Sequence, residues 1–95
     1  MTIVFFIAND PAYREYIRAN PRAYIINTTR IPNPNYLIEH RATCWHISSD
    51  RLANFTTNQY IKICSTDYHE LEMWARQLGG ILQIHQCLSR EIPIN

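Results

Sequence analysis

Glycine is nearly missing from this 95-residue chain, and its only two copies, Gly79 and Gly80, are adjacent. A phosphate-cradling loop needs glycines at fixed offsets, and neither G-x-x-x-x-G-K-[ST] nor G-x-G-x-x-G occurs. G-x-S-x-G and H-E-x-x-H are absent as well, which removes the hydrolase nucleophile elbow and the helical zinc site of metalloproteases. Basic excess is also lacking. Nine Lys and Arg oppose eight Asp and Glu, a net charge of +1, so no global field draws a polyanion and nucleic-acid binding would need a local arginine cluster. Lys62 is the only lysine.

No apolar run approaches the roughly 18 residues that span a bilayer. The opening M-T-I-V-F-F-I-A has no basic stretch and no small-residue cleavage site, so it reads as structure and not as an export signal. Cysteines number three, an odd count that suits a reducing, cytoplasmic setting better than a disulfide framework. No repeat, low-complexity tract or dividing linker is present.

What the chain does contain is a 46% hydrophobic content, enough for one packed domain over residues 1–95. Residues 2–8 form a short apolar run consistent with a buried strand. Asp10-Pro11 is a helix start, with Tyr13, Tyr16 and Ile17 as its inward stripe and Asn20-Pro21 as its stop. Residues 23–28 and 36–41 read as strands of an antiparallel hairpin with a long, stiffened loop. The polar, turn-rich residues 48–58 have Phe55 as their anchor. Residues 60–64 alternate, sending Ile61 and Ile63 inward and leaving Tyr60, Lys62 and Cys64 on the other, open face. Asp67 and Glu70 form a capping box for a helix whose stripe is Tyr68, Leu71, Trp74, Ala75 and Leu78, stopped by Gly79. Residues 81–87 read as a last strand. The expected fold class is α+β: a mainly antiparallel sheet of four or five strands with two helices packed on one face.

The stretch from Asn27 to Cys44 is the most distinctive. Ile31 and Asn33 each precede a proline, which steers both from helical backbone and leaves residues 30–35 a stiff connector that loses little entropy on binding. Period two puts Tyr36, Ile38 and His40 on one strand face and Leu37, Glu39 and Arg41 on the other, so His40 and Arg41 point apart. Arg30 and Arg41 are candidate anion grips, since a planar guanidinium matches phosphate or carboxylate; the competing reading is a salt bridge.

The spacing N-x-x-R-x-P-x-P-x-Y-x-x-x-H-R-A-x-C is carried by Asn27, Arg30, Pro32, Pro34, Tyr36, His40, Arg41, Ala42 and Cys44. With Tyr24 to Ile26 before it, and Y-I-K-I-C-S and a helix bearing Trp74-Ala75 after it, this resembles a small bacterial domain of uncharacterised function. The resemblance spans roughly residues 9–78 and implies no activity. It implies closely paired C-terminal cysteines, whereas here Cys87 stands alone.

These residues support three functional readings. The leading one is a non-catalytic binding module for an anionic ligand, a nucleotide, nucleic acid or acidic peptide, held by Asn27, Arg30, Tyr36, His40 and Arg41. A metal-independent ribonuclease-like enzyme would draw on Tyr36, His40, Arg41 and Lys62, with histidine moving the proton and the cations stabilising phosphate charge. A self-associating domain would use residues 1–8 as an added strand in a homodimer. No catalytic residue and no cofactor is assigned. A zinc site is the alternative to that last statement, because Cys44-x-His46 and His85-x-Cys87 each place a sulfur and a nitrogen on one strand face.

Overall fold

The computed structural model describes residues 3–44, 47 and 55–84. Within them the elements run β1 (Val4–Phe6), α1 (Asp10–Ala19), β2 (Tyr24–Thr29), β3 (Ile38–Arg41), β4 (Tyr60–Ser65), α2 (Tyr68–Leu78) and β5 (Gln83–Ile84). They build a five-stranded sheet in the order β1-β4-β2-β3-β5. All pairs are antiparallel except β3 with β5. The α+β expectation holds, and the hairpin of β2 and β3 is formed in the register Tyr24 to Arg41 through Asn27 to Ile38.

The helices do not share a face. Because β1 and β2 are each antiparallel to the β4 between them, they are parallel to one another, and α1 is their crossover. By the same counting β4 and β5 are parallel, and α2 crosses β2 and β3 to join them. Both crossovers move the same way across the sheet but leave from strands of opposite direction. A common handedness then requires opposite faces. Packing agrees: Tyr13 and Ile17 of α1 cluster with Phe6, Ile25 and Cys64, whereas Leu71 and Ala75 of α2 cluster with Ile26, Ile61 and Ile63. Neighbouring residues of one strand thus serve different layers, as Phe5 does by packing on Trp74 while Phe6 packs on Tyr13. Complete burial of side chains such as Ile25, Ile26 and Ile63 contributes about 1.5–3 kcal/mol each.

Two-sided cover also changes β4. Lys62 is 4% exposed and Cys64 fully buried, so the face expected to be open lies beneath α1.

Local signals at the helix ends are largely realised, with two shifts. Asn9 caps α1, its Oδ1 accepting from the Ala12 N–H at 3.2 Å, and Asp10 is the first helical residue. That shift matters, because the Asp10 carboxylate accepts from the Phe55 and Thr56 N–H groups at 2.8 and 2.7 Å and from the Thr56 hydroxyl at 2.6 Å. Phe55, the expected anchor, is buried by this tie. The remainder of that anchor's loop, residues 48–54, and the end of the last expected strand, residues 85–87, lie outside the described residues. At α2, Asp67 caps the His69 N–H at 2.9 Å, but the Glu70 carboxylate reaches the Asp67 N–H only through Ser65, whose hydroxyl donates to Glu70 at 2.6 Å and accepts from the Asp67 N–H at 2.9 Å. Gly79 stops the helix at φ 88°.

The proline-bearing connector between β2 and β3 is a scaffold for the chain that leaves α2 and enters β5. Asn33 folds it, its Oδ1 accepting from the Asn35 N–H at 2.8 Å and its carbonyl from the Tyr36 N–H at 2.9 Å. Leu37 is fully buried and its carbonyl accepts from the Gln83 N–H at 2.8 Å, which seats β5. Gly80 lies so close that a Cβ there would stand 2.6 Å from Leu37 Cδ1 and 2.6 Å from the Pro34 carbonyl oxygen. Gly79, by contrast, has open space and is held only by its positive φ. Gly80→Ala is therefore expected to cost about 1–3 kcal/mol by overpacking against backbone. Gly79→Ala should cost about 1 kcal/mol through conformation alone. Urea denaturation of the two variants checks that order.

Candidate functional site

The residues singled out for anion binding do not make one open surface. Arg30 is exposed, yet its Nη2 donates to the carbonyls of Asn58 at 2.7 Å and Thr56 at 3.3 Å, and its Nε to Asn58 at 3.1 Å. That guanidinium braces the turn before β4. Asn27 turns its Oδ1 to Lys62 Nζ at 2.7 Å. Tyr36 is half-buried and packs on Tyr60 with ring centroids 5.7 Å apart. His40 is buried at 5% exposure, opposite Ile25 in the ladder. Arg41 projects from the other face, its guanidinium 5.0 Å from the Tyr24 ring centre. Alternation foresaw that His40 and Arg41 diverge; it could not foresee that a helix covers each face.

Lys62, one of the four residues of the ribonuclease-like reading, is a buried tie. Its ammonium donates to Asn27 and, at 2.6 Å, to the Phe55 carbonyl, between the rings of Tyr13 and Phe55 at 6.0 and 5.8 Å. Burial lowers its pKa to about 8, against the pull of Asp10. Cys64 lies on the same face, and burial drives its thiol far above the ordinary range, so it stays protonated and unreactive.

Glu39 is the residue whose chemistry the sequence did not disclose. It sits on β3 between Ile26 of β2 and Ile84 of β5, is fully buried, and neither carboxyl oxygen has a hydrogen-bond partner among the described residues. Burial, reinforced by the charge of Glu72, raises its pKa from 4.5 to about 7. Beside it, α2 and the segment leading into β5 enclose a cleft of about 210 Å³ walled by Tyr68, Glu72 and Arg76 on the helix and by Leu82 and Ile84 opposite. Glu39 is coupled electrostatically to two of those wall residues, Glu72 and Tyr68, and Tyr68 in turn packs edge-on against Tyr24 at 5.6 Å. Glu72 is shared at 3.8 Å with both His69 and Arg76, whose side chains are largely in solvent. The one hint in the sequence was that Leu37, Glu39 and Arg41 alternate onto a single face. Nothing in it placed a helix and a second strand over that face.

Of the zinc alternative, Cys44 is buried, and His46, His85 and Cys87 lie outside the described residues. Among the described residues no group of three His, Cys, Asp or Glu is placed to hold a metal ion. Nor is any helix among them long and apolar enough to cross a membrane. No family model, curated protein or solved structure shows significant similarity to the chain, so the resemblance over roughly residues 9–78 brings no family assignment.

An acid whose pKa is raised on folding makes stability fall as pH rises from the unfolded value, 4.5, to the folded value, about 7. The span corresponds to about 3 kcal/mol. Glu39→Gln is accordingly expected to match the parent protein at pH 4 and to exceed it by about 2–3 kcal/mol at pH 8. Denaturant titration at the two pH values tests this; equal pH dependence in both proteins would show that Glu39 is not the group.

Proposed function

We propose that this domain is a non-catalytic binding module whose ligand lodges in the cleft between α2 and β5. The observation that carries the reading is Glu39, a fully buried carboxyl with no hydrogen-bond partner among the described residues, whose ladder neighbour Ile84 lines a cleft of about 210 Å³. Buried polar groups are almost always satisfied, and an unsatisfied one at a pocket is a mark of function. The site moves from the proline-braced loop because Arg30 and Asn27 are engaged with Asn58 and Lys62, and His40 is buried. Support for an enzyme is weaker. His40 and Arg41 face opposite sides of the sheet, and Lys62 is engaged by Asn27 and Phe55. The buried thiols of Cys44 and Cys64 suit a reducing, cytoplasmic setting.

Ile84 stands at the cleft wall, 48% exposed, where a larger ring fills space at little cost to the core. A fragment that binds should stabilise the protein by about 2.7 kcal/mol at a hundredfold its Kd. Thermal melts with a mixed fragment set should show this gain for the parent and none for Ile84→Trp; gains that survive Ile84→Trp would place binding elsewhere.

Self-association is a second reading with its own observation. β1 is an edge strand, and Phe5 at 46% and Met73 at 60% exposure leave apolar surface beside Trp74. Pairing of residues 1–8 between two copies would cover it. Static light scattering should then give a dimer mass that Phe5→Lys reduces to the monomer; a monomer in both cases removes this reading.

A further inference from the structure

Resting on the cleft reading above, we infer that the ligand is a compact organic ammonium ion whose charge is met by Glu39 and whose carbon skeleton lies against Leu82 and Ile84. The wall chemistry selects this class. An anion would have to enter beside two carboxyl groups, Glu39 and Glu72, that already repel one another. A bare metal ion would find two carboxylates and no third ligand among the described residues. An alkylammonium fits both parts of the site: its head is a donor for oxygens that lack one, and its chain covers apolar wall.

No Lys or Arg among the described residues hydrogen-bonds the Glu39 carboxyl. The Arg41 guanidinium, on the same strand face as Glu39, lies over Tyr24. That of Arg76 reaches Glu72 at 3.8 Å with its side chain 75% exposed. From α2 the titratable groups near Glu39 are therefore Tyr68 and Glu72, with Arg76 beyond them; from β2 there is Tyr24; β5 brings only Gln83 and Ile84. Glu39 has no accessible surface, so the ammonium meets it after a wall side chain turns.

Recognition of this kind couples binding to proton release, since the cation needs the carboxylate and competes with its proton. Affinity should rise about tenfold per pH unit from pH 5 to 6.5 and level off above pH 7, with about one proton released at the lower end.

The test is calorimetric titration of the full chain with n-butylamine hydrochloride, 1-butanol and sodium butyrate, at pH 5.5 and 7.5 and in two buffers of different ionisation enthalpy. The expected result is binding of butylammonium alone, at least tenfold tighter at pH 7.5, and lost in Glu39→Gln. The pH series in the parent protein varies the same charge without substitution and decides the matter should that variant not fold. Butanol binding as well as butylammonium, with no pH dependence, would overturn the ammonium inference and leave the cleft reading standing. Butyrate binding tighter than butylammonium would do the same. Absence of binding by all three, together with no fragment-induced stabilisation, would sink both.

Discussion

Burial of the sheet on both sides governs this structure. The central ladder of β2 and β4 carries α1 on one face and α2 on the other, so a polar side chain on a central strand has no solvent to turn to. Each must find a partner inside the fold or bear the cost of having none, about 1–3 kcal/mol for a neutral group and more for a charge. Asp10, Asn27 and Lys62 meet this demand together, tying the chain around Phe55 to α1, β2 and β4. Ser65 meets it by joining the end of β4 to the start of α2.

Glu39 answers the same demand differently. It is as deeply buried as Ile26 beside it, and no donor among the described residues reaches it. The acid lowers its cost by holding its proton to near neutrality. Apolar replacement would be the simpler way to fill that position, and the acid there has as its ladder neighbour Ile84, which lines the cleft beside α2. Arg30 illustrates the converse. An exposed arginine on a stiff loop has the look of a recognition group, but a guanidinium with several donors can also brace a turn, and here it closes on Thr56 and Asn58 carbonyls.

The stiff connector keeps its importance in another role. Its prolines and the Asn33 turn hold Pro34 and Leu37 still, and Gly80 docks on both with no room for a Cβ. Through that contact the β2–β3 loop fixes where α2 ends and where β5 begins, and therefore the far wall of the cleft. Rigidity read as preparation for a ligand is, in the fold, preparation for the next piece of chain.

The amino-acid order alone determined the local elements, because their signals act over a few residues: proline and asparagine ending α1, the Asp67 cap and Gly79 stop of α2, and alternation along β3 and β4. It also fixed that His40 and Arg41 diverge, since period two is a property of the strand itself. Only the tertiary structure decided which faces are covered. That depends on strand order and crossover direction, which join residues far apart in sequence, and it turned Lys62 inward, sealed His40, and left Glu39 beside the cleft with no hydrogen-bond donor among the described residues.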